Sequence, residues 1–213
     1  MAEISTLQRI VLLAIPLLVA VTFHELAHGY AANRFGDPTA RLAGRLTFNP
    51  IKHLDLVGTL VFIITGMIGW AKPVPVDPYN LRNPRKDMMW IALAGPAANI
   101  VLAIIFSLIF KVLYLPSGLF SPFTVEKILF PLRFMAAAGV TLNLGLAVFN
   151  ALPVPPLDGS NILMGLLSEK HAAAYSKIGP YGFIILIALI FFRVTDYIIV
   201  PVIVVLRDLL LGQ

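Results

Sequence analysis

The stretch His24-Glu25-Leu26-Ala27-His28 lies inside an apolar run, about residues 6–32, that is long enough to cross a bilayer. An ionisable side chain near mid-bilayer costs roughly 2.5–3.5 kcal/mol on insertion scales, so three within five residues call for a compensating partner. On a helix, positions i and i+4 share a face. His24 and His28 can therefore bind one Zn²⁺, with Glu25 beside them as a general base. The competing reading is a pair of surface or pore-lining histidines without metal. Either way, this face must look into protein or water rather than lipid.

Composition agrees with a membrane setting. Of 213 residues, 59% are hydrophobic and 13% charged, and mean hydropathy is +0.89, well above that of a soluble domain. The expected fold is mainly α: a polytopic transmembrane helix bundle of about five to six membrane segments, forming one domain over residues 1–213. The length leaves no room for an appended soluble module. The net charge of +5 comes from basic residues scattered between apolar runs, which reads as cytoplasmic-loop bias rather than a nucleic-acid surface. Cysteine is absent, which excludes a disulfide framework, thiolate ligation and a cysteine nucleophile. The first apolar run is too long for a cleaved signal peptide, and it carries the motif.

After that run, apolar segments follow at about 54–70, 88–115, 128–152 and 158–167, and a last region at 181–211 is one long helix or a helical hairpin. Between the first two, residues 39–48 alternate apolar and polar, which predicts a strand. Residues 71–76, with two prolines, could supply a second extended piece at a sheet edge. A small membrane-associated β element is therefore expected, with the 39–48 strand offering its edge to an unwound substrate. Basic clusters stand on both sides of segment 54–70: Arg34, Arg41, Arg45 and Lys52 before it, and Lys72, Arg82, Arg85 and Lys86 after it. Both clusters look cytoplasmic by the positive-inside rule, so this segment should be re-entrant or surface-lying and not cross.

Catalytic zinc commonly has three protein ligands and one open position. Asp158 is the strongest third candidate, in a proline-broken run, Asn150 to Gly159, after segment 128–152. Its alternative role is to N-cap the segment that follows. If segment 54–70 does not cross, the next two segments go out and back, and Asp158 returns to the side of the histidines. Asn143 and Asn150 share one face of their segment; Asn143 suits a helix–helix hydrogen bond, and Asn150 suits substrate backbone or oxyanion contact. The small residues of Gly95-Pro96-Ala97-Ala98-Asn99 suit close helix packing. His53 and Asp55 suit an interfacial position, and His171 a solvated loop.

His24-Glu25-Leu26-Ala27-His28, Gly95-Pro96-Ala97-Ala98-Asn99, and Asn150 with Pro155-Pro156-Leu157-Asp158-Gly159, in that order, resemble the site-2 protease family of intramembrane zinc metalloproteases, and the Gly36-Asp37-Pro38 turn with the run from Trp70 to Val76 also resembles its compact bacterial and archaeal branch. The resemblance covers roughly three-quarters of the chain, from the first segment to 158–167. It implies one zinc held by His24, His28 and Asp158, Glu25 activating water, and Asn150 handling substrate. It also implies cleavage of single-pass transmembrane proteins or peptides within or near the bilayer of a prokaryotic plasma membrane, with the site toward the cytoplasm. The chain has no room for the PDZ or regulatory domain that many members carry, and the sequence leaves oligomeric state and natural substrate open. A metal-ion transporter and a non-catalytic membrane scaffold using the same metal site are the rival classes.

Overall fold

The computed structural model describes residues 6–65, 69–114 and 117–212. The main helices are α1 (Thr6–Arg34), α2 (Leu56–Thr65), α3 (Pro84–Tyr114), α4 (Pro122–Asn150), α5 (Asp158–Leu166), α6 (Glu169–Ser176), α7 (Gly182–Phe191) and α8 (Val194–Leu211). Local chemistry sets their starts. Pro84 opens α3 after Asn83, whose side chain accepts the Lys86 N–H while Asp87 accepts the Asn83 N–H, a reciprocal cap. Ser121 caps α4 by accepting the Thr124 N–H, with Pro122 at the first helical position.

The bundle centres on α3, which packs against α1, α4 and α5, while α8 lies along α4. One apolar core joins Ala103 and Phe110 of α3 to Ala136, Val140 and Leu144 of α4 and Leu211 of α8. A second joins Ala32 at the end of α1 to Leu81 and to Ile91 near the start of α3, so α1 and α3 run antiparallel. The outward side of α3 exposes Ile100, Val101, Ile104, Ile105, Leu108 and Val112, whereas Asn99 and Ser107 are buried. Apolar outside and polar inside is the pattern of a helix solvated by lipid.

Four described helical segments are long and apolar enough to cross a membrane: Ile10–Arg34, Pro84–Tyr114, Pro122–Asn150 and Glu169–Phe191. That is fewer than the five to six expected. α2 and α5, of 10 and 9 residues, rise about 15 Å and 14 Å, roughly half a hydrocarbon core. α8 carries Asp196, Arg207 and Asp208 and is not among the four. The last region is two helices, broken where Arg193 takes a left-handed φ of 57°.

Segment 54–70, which includes residues 66–68 outside the described set, begins and ends at the same place. Leu54 and Ala71 form an antiparallel bridge, and the Lys72 N–H donates to the His53 carbonyl at 2.9 Å. Its two ends thus meet, as expected for a segment that does not cross.

The predicted 39–48 strand is not there, and no strand occurs among the described residues. Pro38 starts a single helical turn, Thr39–Leu42, and Gly44 then takes φ +64°, which an extended strand does not accommodate. Burial here does not follow the alternation: Ala40 and Arg45 are buried, while Arg41, Leu42, Ala43 and Gly44 between them stay exposed. Residues 72–76 belong to no helix or sheet and form a strap against α1, where Val74 meets Glu25.

Candidate metal centre

His24 and His28 lie one turn apart on α1, their rings edge-to-face with centroids 4.6 Å apart. Their Nε2 atoms are 3.0 Å apart. Asp158 Oδ2 is 3.2 Å from the first and 3.3 Å from the second. Among the described residues these three form a cluster able to hold a metal ion. Ligand atoms held about 2.0 Å from a tetrahedral zinc are about 3.3 Å from one another, so the spacing fits one ion.

The protonation pattern fits as well. Asn99 donates from Nδ2 to the Ala20 carbonyl and to Asn143 Oδ1, which fixes its amide orientation and turns Oδ1 toward His24. His24 Nδ1–H therefore donates to Asn99 Oδ1 at 2.6 Å, and His28 Nδ1–H donates to the Ile91 carbonyl at 2.7 Å. In the neutral form of each ring, both Nε2 atoms are left with bare lone pairs. Asp158 Oδ2 is buried without a hydrogen-bond donor. Three lone-pair-bearing atoms thus face one another, an arrangement that a cation relieves.

Two glycines make room for it. A Cβ on Gly95 would collide with His28 Nε2 and with both imidazole rings, so only glycine lets α3 approach the pair. A Cβ on Gly159 would collide with the Ala151 and Leu152 carbonyls, so the turn that delivers Asp158 also depends on glycine. Leu157, not Asp158, occupies the cap position of α5, and no side-chain cap bond forms there. Of the two roles open to Asp158 in the sequence, the one facing the histidines is adopted.

Glu25 faces the strap. Its Oε2 accepts the Val74 backbone N–H at 2.8 Å. Arg45 holds the strap from one side, donating from Nη2 to the Lys72 carbonyl at 2.6 Å and from Nη1 to the Pro73 carbonyl at 3.2 Å. The fully buried Asp37 holds the strap's continuation, accepting the Asp77 N–H, Asn80 Nδ2 and the Thr39 N–H and hydroxyl. Burial alone would push the Asp37 carboxyl up, but the donors from Thr39, Asn80 and Asp77 together outweigh it and hold the group below its usual range.

Other polar residues sit apart. Asn150 donates back to the Leu146 carbonyl of its own helix at 3.0 Å, with no hydrogen bond to the three clustered residues. Asn143 makes the expected interhelical bond, to Asn99. His53 is fully buried and bonded through Nε2 to the Thr47 carbonyl. Asp55 caps α2 through the Gly58 N–H. His171 is exposed, but on α6 rather than in a loop. Sequence reasoning missed the role of Asn99 in orienting His24. A signal existed: an amide four residues after Gly95 lies on the same helix face, inside an apolar segment. It missed Arg45, Asp37 and Val74 too, and for Val74 no signal was available, since its contribution is a backbone N–H.

Comparison with known proteins bears on the same site. The model of peptidase family M50 matches residues 12–131 and 119–192. "Putative zinc metalloprotease YwhC" of Bacillus subtilis is 39% identical over 200 residues, covering 93% of this chain and 89% of that protein. "Putative zinc metalloprotease Rip2" of Mycolicibacterium smegmatis is 30% identical, covering 81% of this chain and 64% of that longer protein. An archaeal relative, "Putative zinc metalloprotease MJ0611" of Methanocaldococcus jannaschii, is 31% identical over 141 residues, 66% of this chain and 63% of its own length. No solved structure matches the chain. None of these matches favours a transporter or a scaffold. The chain belongs to peptidase family M50, the site-2 protease family of membrane zinc metalloproteases, whose cofactor is zinc.

Proposed function

We propose that this chain is an HExxH-type zinc endopeptidase that cuts single-span transmembrane proteins within or near the bilayer. His24, His28 and Asp158 hold the ion, and Glu25 is the general base. The observation that carries this reading is the meeting of His24 Nε2, His28 Nε2 and a buried carboxylate oxygen of Asp158, with Glu25 next to His24 in the chain. When bound, zinc supplies Lewis acidity, bringing the pKa of water to about 7 and polarising a peptide carbonyl.

Glu25 then takes a proton from the attacking water and delivers it to the leaving amine. The Val74 N–H occupies one carboxylate oxygen and so orients the other. Asn99 and the Ile91 carbonyl keep both imidazoles in the tautomer that presents Nε2. The substrate must be unwound at the cut, because helical hydrogen bonding shields its carbonyls. Asn150, half-buried on α4 just before the turn to Asp158, is suited to bind that exposed backbone.

Arg34, Arg41, Arg45, Lys72, Arg82, Arg85 and Lys86 lie near the joined ends of α1 and α3, which supports a cytoplasm-facing site by charge bias. Bacterial and archaeal relatives support a prokaryotic plasma membrane. The test is detergent-purified protein assayed for zinc per chain and for cleavage of a model single-span substrate. Glu25→Gln should keep zinc and lose roughly 10²–10⁴-fold in cleavage, whereas Asp158→Ala should lose both. Unchanged cleavage in Glu25→Gln would sink the assignment.

A further inference from the structure

Lys72-Pro73-Val74-Pro75 has one backbone N–H between its prolines, that of Val74, because proline carries none. That single donor goes to Glu25. Each proline also restricts the residue before it to extended backbone, and Val74 is turned inward while Lys72, Pro73 and Pro75 stay exposed. The Pro73 carbonyl belongs to the same peptide group as the Val74 N–H and points the opposite way, to Arg45 Nη1. Nη2 takes the neighbouring Lys72 carbonyl.

Arg45 is only 6% exposed. Among the described residues no carboxylate lies within 4.0 Å of it. A buried guanidinium without a counter-ion is expensive unless its charge is solvated by well-placed dipoles. Two strap carbonyls do this, and one of them transmits the polarisation through its peptide group to the Glu25 carboxylate.

We propose that Arg45 is a positioning residue for Glu25, acting through the Pro73–Val74 peptide group. The proposal rests on the reading of Glu25 as general base. Without the guanidinium the peptide plane is free to rotate, the Val74 N–H leaves Oε2, and the carboxylate loses the contact that fixes its rotamer. The two histidine ligands are held separately, by Asn99 and the Ile91 carbonyl, and Asp158 by the turn before α5, so ion binding should survive.

The experiment uses the full chain in detergent, with hydrogen exchange read at the Val74 amide alongside zinc per chain, kcat and KM. Arg45→Ala should speed Val74 exchange by about tenfold, as expected on losing a charge-assisted hydrogen bond. It should lower kcat roughly 10–100-fold, the range for groups that orient a metal site from outside, with KM and zinc near wild type. Arg45→Lys, which keeps the charge and can reach one carbonyl, should recover part of kcat, and it carries the comparison if Arg45→Ala does not fold. Glu25→Ala should release the same amide, independently of any cleavage. Wild-type exchange at Val74 in the Arg45 variants and in Glu25→Ala overturns the proposal, as does parallel loss of zinc and kcat in both Arg45 variants. A wild-type protein that binds zinc, protects Val74 and cleaves no substrate overturns the peptidase reading instead, while the exchange results still judge the strap contact.

Discussion

On the side of α3 and α4, the histidine pair is met by a layer of helix: the Asn99 amide, the Ile91 carbonyl and, behind Asn99, Asn143. On the opposite side, Glu25 is met by a strap with no regular structure, through one backbone N–H. The first layer is rigid because Asn99 and Asn143 are fully buried and their hydrogen bonds run within and between long packed helices. The second owes its shape to two charged side chains reaching in from the loop after α1, Asp37 and Arg45. On the proposed reading of the site, holding the ion and holding the base are therefore separable tasks. Damage to the helix layer should appear as lost zinc, and damage to the strap as lost turnover or local opening with zinc retained.

The harshest test of that separation is steric. Gly95→Ala places a methyl against both imidazoles, and zinc affinity should fall by more than about 100-fold, beyond the usual range for an outer hydrogen bond. Metal analysis at controlled free zinc reads this directly. A variant that keeps wild-type affinity would show that α3 can back away, and the layer would not be rigid. Next comes Asn99→Leu, which keeps the size of the side chain and removes the acceptor for His24 Nδ1–H. It should weaken zinc roughly 10–100-fold while leaving Val74 exchange unchanged. Faster strap exchange in that variant would mean that the two sides are coupled, and would collapse the comparison.

The same contrast explains what could be read before any coordinates. The helix layer depends on residue types that are out of place in hydrocarbon: two histidines at i and i+4 and amides at 99 and 143. Each is conspicuous because an unpartnered polar group in a membrane is costly, so its presence implies a partner. Asp158 is expected as third ligand because cysteine is absent and three prolines break the chain before it, and the return of segment 54–70 is expected from the basic clusters on both sides and from its short, glycine-containing sequence. The strap was legible only as a proline-limited extended piece at 71–76, and its contact with Glu25 was not. A backbone N–H has no side-chain signature, and the alternation over 39–48 mimics a strand although Pro38 and Gly44 turn the chain into a short helical hook. Arg45 reads as one more cytoplasmic cation until its carbonyl partners, 27 and 28 residues away, are known.

The most local predicted effect concerns the other anchor of the strap. The donors around Asp37 hold its carboxyl below the ordinary value despite burial. A folded-state pKa below the unfolded one stabilises the folded form at pH above the unfolded value of about 3.9, and that contribution is lost as pH falls through the folded value. Protonation removes the negative charge from acceptors of the Asp77 N–H and the Asn80 amide. The strap should therefore loosen on acidification below about pH 4, read as faster exchange at the Asp77 amide after allowing for the intrinsic pH dependence of exchange. Asp37→Asn should be looser at neutral pH by on the order of 1–3 kcal/mol, the cost of a charge-assisted bond, and should lose the acid step altogether. If the acid step persisted in Asp37→Asn, another group would be holding that end of the strap, and its independence from the helix layer would have to be traced to that group.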